Sequence, residues 1–91
     1  MLYGIVYHTK NCQKCKLTAM RLAPMNIEQV LIGRDVEGSE DIINYMDEQG
    51  LTSAPLVRIY RDDELVAEWT NFNIKEINKW RTKAVEENAK D

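Results

Sequence analysis

Cys12 and Cys15 are the only thiols of the chain, and Gln13 and Lys14 separate them. Two residues between cysteines on a helical turn bring the sulfurs within bridging distance. A helix starting near Cys12 would put both at its N-terminus, where unpaired N–H groups and the positive end of the dipole favour a thiolate. Lys10, Lys14 and Lys16 add positive charge on either side. This spacing predicts a lowered pKa for the more exposed sulfur, expected to be Cys12. Cys12 would then attack a substrate disulfide, and Cys15 would resolve the mixed disulfide by attacking Cys12.

Other uses of the pair fit less well. A structural zinc site needs four ligands, and His8, the only histidine, raises the count to three. No metal is therefore expected, and His8 reads as a loop residue beside the site. A purely structural disulfide would close too short a loop to add much stability, and the first residues, Met1 to Tyr7, carry no secretion signal. Buried spectator thiols remain as an alternative, opposed by the helix-start position and the flanking lysines. A second feature lies far along the chain. Thr52-Ser53-Ala54-Pro55 directly precedes an apolar run, Leu56 to Tyr60. Pro55 could be a plain turn residue. In a cis form it would expose the Ala54 backbone for pairing with an extended substrate segment.

The elements that must position these residues can be read from apolar patterning. Leu2 to Tyr7 is a short β-forming run, Thr9 to Asn11 a polar loop, and a helix follows from Cys12. In that helix Lys14, Thr18 and Arg21 form a polar stripe, while Cys15, Leu17, Ala19, Met20, Leu22 and Ala23 are expected to pack; Pro24 stops it. Val30-Leu31-Ile32 is a second short run. Ser39 is a candidate N-cap for a helix that buries Ile42, Ile43 and Met46 and ends at Gly50. A hairpin turning at Asp62-Asp63 joins Leu56–Tyr60 to Leu65–Trp69. Asn73 and Glu76 resemble a capping box for a last helix whose face is Ile74, Ile77, Trp80 and Ala84.

The order β-α-β-α-β-β-α implies an α/β fold: a four-stranded mixed sheet with helices on both faces, the two early helices serving as crossovers between parallel strands. One domain over residues 1–85 is expected, with a frayed tail over 86–91. At 44% hydrophobic and 30% charged residues the chain is not of disordered composition. It lacks an apolar run long enough for a membrane helix. Net charge is −3, yet residues 1–27 hold four basic residues and no acid. The acidic balance argues against nucleic-acid binding. A cytoplasmic monomer is expected.

Tyr7-His8-Thr9-Lys10-Asn11-Cys12-Gln13-Lys14-Cys15-Lys16, Thr52-Ser53-Ala54-Pro55 and Trp69-Thr70-Asn71-Phe72 together resemble the glutaredoxin-like NrdH redoxins of the thioredoxin superfamily. The resemblance runs from about Leu2 to Trp80. It implies a thioredoxin fold and a small electron carrier, free of bound cofactor, that is reduced by thioredoxin reductase and reduces ribonucleotide reductase. Carried over by position, Cys12 is the nucleophile, Cys15 the resolving thiol and Pro55 the cis-proline. Gln13, Ala54, Trp69 and Phe72 would then lie at the partner-binding surface. Two substitutions depart from the pattern there: Gln13 and Lys14 invert the usual order before the second cysteine, and Asn71 replaces a usual glycine. The alternatives are a glutathione-dependent glutaredoxin, a non-catalytic thioredoxin-fold binding module, and the longer arsenate-reductase-like chains. Glutaredoxins carry a Gly-Gly segment followed by Asp where this chain has Asn71-Phe72-Asn73. The arsenate-reductase-like group carries an Arg-Pro-Ile-type segment that is missing here.

Overall fold

A computed structural model describes residues 1–89. Strand β1 (Leu2–His8) is followed by α1 (Gln13–Arg21), β2 (Asn26–Leu31), α2 (Glu40–Gln49), β3 (Leu56–Arg61), β4 (Glu64–Thr70) and α3 (Ile74–Asn88). The four strands form one sheet in the order β2-β1-β3-β4. β1 runs parallel to β2 and antiparallel to β3, and β3 pairs antiparallel with β4. The mixed four-stranded sheet is as expected, with one correction. Only α1 is a crossover between parallel strands, because α2 returns the chain to β3 in the opposite direction.

Strand alternation divides the interior into two layers. Leu2, Val6, Val57, Ile59 and Trp69 face α1 and α3, packing on Ala19, Leu22, Ile77, Trp80 and Ala84. On the opposite side Leu56 meets Met46 and Ile32, flanked by Tyr7, Ile42 and Tyr45, beneath α2. Helices thus cover both faces of the sheet.

Several local expectations are corrected by packing. Thr18 is fully buried instead of joining a polar stripe, and its hydroxyl donates to the Lys14 carbonyl at 2.8 Å, which satisfies it without solvent. The buried face of α1 is Cys15, Thr18 and Ala19, so Met20, 70% exposed, and Leu17 turn outward. Ser39 precedes α2 but makes no side-chain cap; its hydroxyl accepts from the Gly33 N–H, closing the preceding loop. Asn73 does cap α3, accepting from the Glu76 N–H, yet Glu76 turns its carboxylate to the Trp80 indole N–H at 3.0 Å instead of completing a box. Ile74 lies outside the buried face. The expected loosening from Glu86 is replaced by helix through Asn88. Glu87 forms two hydrogen bonds with Arg61, and the Asn88 amide both accepts from the Leu2 N–H and donates to the Leu2 carbonyl. Residues 90 and 91 of the expected tail lie outside the described residues.

Candidate active site

The site is assembled at one end of the sheet, where β1 finishes and β3 begins. Tyr7 pairs with Leu56, so Pro55 enters opposite the last turn of chain before the cysteine loop. Asn11, at φ +55°, bends that loop into the helix. Cys12 is the N-cap of α1 in extended conformation, and its sulfur accepts from the Cys15 N–H at 3.2 Å. The cap position that Ser or Asp ordinarily fills is occupied by sulfur, which satisfies one of the orphan donors of the helix start.

Cys12 and Cys15 are joined as a disulfide, with Cα atoms 5.3 Å apart. They are not equivalent. Cys15 is 2% exposed, on the face of α1 that packs inward, whereas Cys12 is half-buried at the molecular surface. On reduction, an incoming group meets Cys12 first. The N–H that now points at its sulfur, together with the helix dipole, would stabilise a thiolate there.

The flanking lysines divide in role. Lys10 is held by Asp35 at 3.1 Å, and that hydrogen bond, with the attraction of the ammonium, keeps the Asp35 carboxyl below the usual carboxylate range. Part of its charge is therefore engaged away from the sulfurs. Lys14 and Lys16 are exposed on α1 beside the disulfide, as is Gln13, the first helical residue. Among the described residues no group of three or more His, Cys, Asp or Glu converges as a metal ion would require.

The Ala54–Pro55 peptide bond is cis, and Pro55 is fully buried. Ala54, Ser53 and Thr52 border a cleft of about 320 Å³ that runs from Thr9 to Ile43 and Met46 of α2. This cleft was not legible in the sequence, where the α2 residues read only as core. Arg34 also lines it and pairs with Asp47 through two contacts of 3.2 and 3.3 Å.

The Trp69–Phe72 segment is split by the structure. Trp69 is 7% exposed within the core layer under α1 and α3, and its indole N–H has no hydrogen-bond partner among the described residues. It is not part of the surface as it stands. Phe72 is half-buried at the edge of the same layer, beneath the Arg21 guanidinium at 5.8 Å. The residue that links this segment to the site is Asn71. Its N–H donates to the Pro55 carbonyl at 3.0 Å, its φ is +69°, and its side-chain oxygen accepts from the Phe72 N–H. His8, expected in a loop, is instead the last residue of β1, and it lines a smaller cleft with both cysteines.

No family model matches the chain, and no curated protein matches it by sequence. Solved structures do. The glutaredoxin-like NrdH-redoxin of Escherichia coli, characterised by a thioredoxin-like activity profile, superposes with a TM-score of 0.64 at 20% identity, covering 85% of this chain and 92% of its own. Thioredoxin f2 of Chlamydomonas reinhardtii gives 0.60 at 17% identity, over 90% of this chain and 77% of its own. Mitochondrial thioredoxin 3 of Saccharomyces cerevisiae gives 0.56 at 22%, over 90% and 77%. The strand order, the helices on both faces, the Cys-x-x-Cys turn at the start of α1 and the cis-proline before β3 agree with that likeness: this chain has the thioredoxin fold.

Proposed function

We propose that the chain is a small dithiol–disulfide oxidoreductase that passes electrons from a reductase to a protein disulfide. The reading rests on one observation above the others: an accessible Cys12 sulfur capping α1, bridged to a Cys15 that is shielded from solvent. In the reduced chain the Cys12 thiolate attacks a partner disulfide, releasing one partner sulfur and forming a mixed disulfide. Cys15 then attacks Cys12 and releases the second partner sulfur. Two electrons have moved to the partner, and the Cys12–Cys15 disulfide is restored.

By resemblance to NrdH redoxins, the acceptor is ribonucleotide reductase and the donor thioredoxin reductase, in the reducing cytoplasm. Ala54 borders the cleft ahead of β3, where an extended partner segment would pair beside the buried Pro55, and the exposed Gln13 and half-buried Phe72 would contribute to the same partner surface. A glutathione-dependent glutaredoxin is the second reading. It is disfavoured by Asn71-Phe72-Asn73, which lacks the paired glycines and following Asp that would hold the γ-glutamyl carboxylate.

Replacing Cys12 by Ser is expected to abolish disulfide reduction, and Cys15→Ser to accumulate the mixed disulfide, visible as a covalent adduct on non-reducing gels. A Cys12→Ser chain that still turned over would overturn the mechanism. The donor is decided by NADPH consumption in two parallel assays. Turnover with thioredoxin reductase supports the NrdH-like reading, and turnover only with glutathione and glutathione reductase would replace it with a glutaredoxin.

A further inference from the structure

Resolution of a mixed disulfide has a proton to manage. Cys15 must attack as a thiolate, yet its side chain is 2% exposed, and burial disfavours the charged form of a thiol. A group beside it must take the proton. No carboxylate occurs in residues 1–27, and Val6, which precedes His8 on the same face of β1, is apolar and fully buried.

A cleft of about 170 Å³ opens next to the disulfide, lined by Cys12 and Cys15, by His8, by Lys16 of α1, and by Gln29 and Leu31 of β2. The alternation of β1 agrees with this position. Leu2, Gly4 and Val6 form its buried face, packed under α1 and α3, and His8 continues that even-numbered series. The other charged or titratable groups on the cleft are Lys10, Lys16 and Cys12. The two ammonium groups favour a thiolate but have no lone pair to accept a proton, and Lys10 is paired with Asp35. Cys12 is consumed in the mixed disulfide. From β2 only the neutral Gln29 and Leu31 face the cleft. Imidazole alone among these groups ordinarily exchanges protons near neutral pH, and His8 is the only histidine of the chain.

We propose that His8 is the proton acceptor for Cys15 in the resolving step, a role that rests on the dithiol reading above. The Cys15 thiol gives its proton to the His8 imidazole, directly or through solvent in the cleft. The Cys15 sulfur then attacks Cys12, the Cys12–Cys15 bond forms, and the bond from Cys12 to the partner sulfur breaks. The partner sulfur leaves with the electron pair and is protonated by the imidazolium, which returns His8 to its neutral form.

A symmetrical aromatic disulfide separates the steps, because it releases one coloured thiolate on attack by Cys12 and a second on resolution by Cys15. At pH 7, His8→Gln is expected to slow the second release about tenfold while leaving the first unchanged. Because burial holds the Cys15 thiol above the ordinary thiol range of about 8.5, the gap should narrow only as pH rises well past that range, where hydroxide ionises Cys15 unaided. A second release equal to wild type at every pH, or a deficit that does not change with pH, overturns the proposal. Failure of the first release in the wild-type chain would instead overturn the dithiol reading itself. Should His8→Gln fail to fold, the NMR titration of the single imidazole in Cys12→Ser, where Cys15 is the sole thiol, answers the same question. It is expected to differ from that of the Cys12→Ser/Cys15→Ser chain, and identical curves would overturn the proposal.

Discussion

Asn71 adopts φ +69°, a left-handed conformation that costs most L-residues about 1 kcal/mol or more and that glycine and asparagine tolerate best. Its N–H reaches the Pro55 carbonyl, so this backbone geometry fixes how the end of β4 meets the start of β3. At this position asparagine and glycine are therefore like-for-like conformational choices. Asn71→Gly is expected to leave stability within about 0.5 kcal/mol, whereas Asn71→Val should cost about 1–2 kcal/mol, both measured by urea denaturation. The cysteines were legible because their spacing alone specifies a turn. The indole of Trp69 was not: an aromatic residue in a strand looks the same whether it faces a partner or the core, and the alternation that buries it is set by the pairing of Val57 with Trp69.

At the level of elements, legibility followed burial. Strands β1 and β3 have apolar runs that outline them, but β2 is an edge strand whose residues Asn26, Glu28, Gln29 and Leu31 are largely exposed. Only its last residues were apolar enough to register as a strand. The direction of β3 was hidden for a different reason, since an apolar run carries no polarity and the length of α2 permits either return. Gly4 shows what the central strand requires. A Cβ there would lie 2.9 Å from Ile27 Cδ1, 3.2 Å from Ile59 Cδ1 and 3.3 Å from the Arg58 carbonyl oxygen. Gly→Ala in a strand ordinarily gains about 0.5–1 kcal/mol from backbone entropy, but Ile59 is fully buried and the carbonyl cannot swing away. Overpacking of about 1–3 kcal/mol outweighs the gain. Gly4→Ala is therefore expected to lower the urea midpoint, by a net of about 1 kcal/mol.

Over the whole molecule, the reactive loops and the structural clasps occupy opposite ends of the strands. The Leu2 backbone exchanges two hydrogen bonds with the Asn88 amide, donating one and accepting the other, and Arg61 holds Glu87 through contacts of 2.8 and 3.0 Å. Removing the first pair by Asn88→Ala should cost about 1–2 kcal/mol and several degrees of Tm without altering the thiol chemistry. The hydrogen bonds from Arg61, aided by its charge, hold the Glu87 carboxyl below the usual range. A carboxylate lowered on folding contributes stability that is fully present above its unfolded value, near about 4.3, and is lost as pH falls through the folded value. Thermal melts from pH 7 to 3 are expected to show a shallower acid decline in Glu87→Gln than in wild type.

The unequal shelter of the two sulfurs has a bearing on oxidative damage. A peroxide reaching the site would convert Cys12 to its sulfenic acid first, since Cys15 is shielded. Cys15, only 5.3 Å away at Cα, can condense with that sulfenic acid, expelling water and returning the disulfide before a second oxygen is added. Sulfinic Cys12 should therefore accumulate in peroxide-treated Cys15→Ser and stay scarce in the intact pair, so the inner thiol also preserves the outer one from irreversible loss.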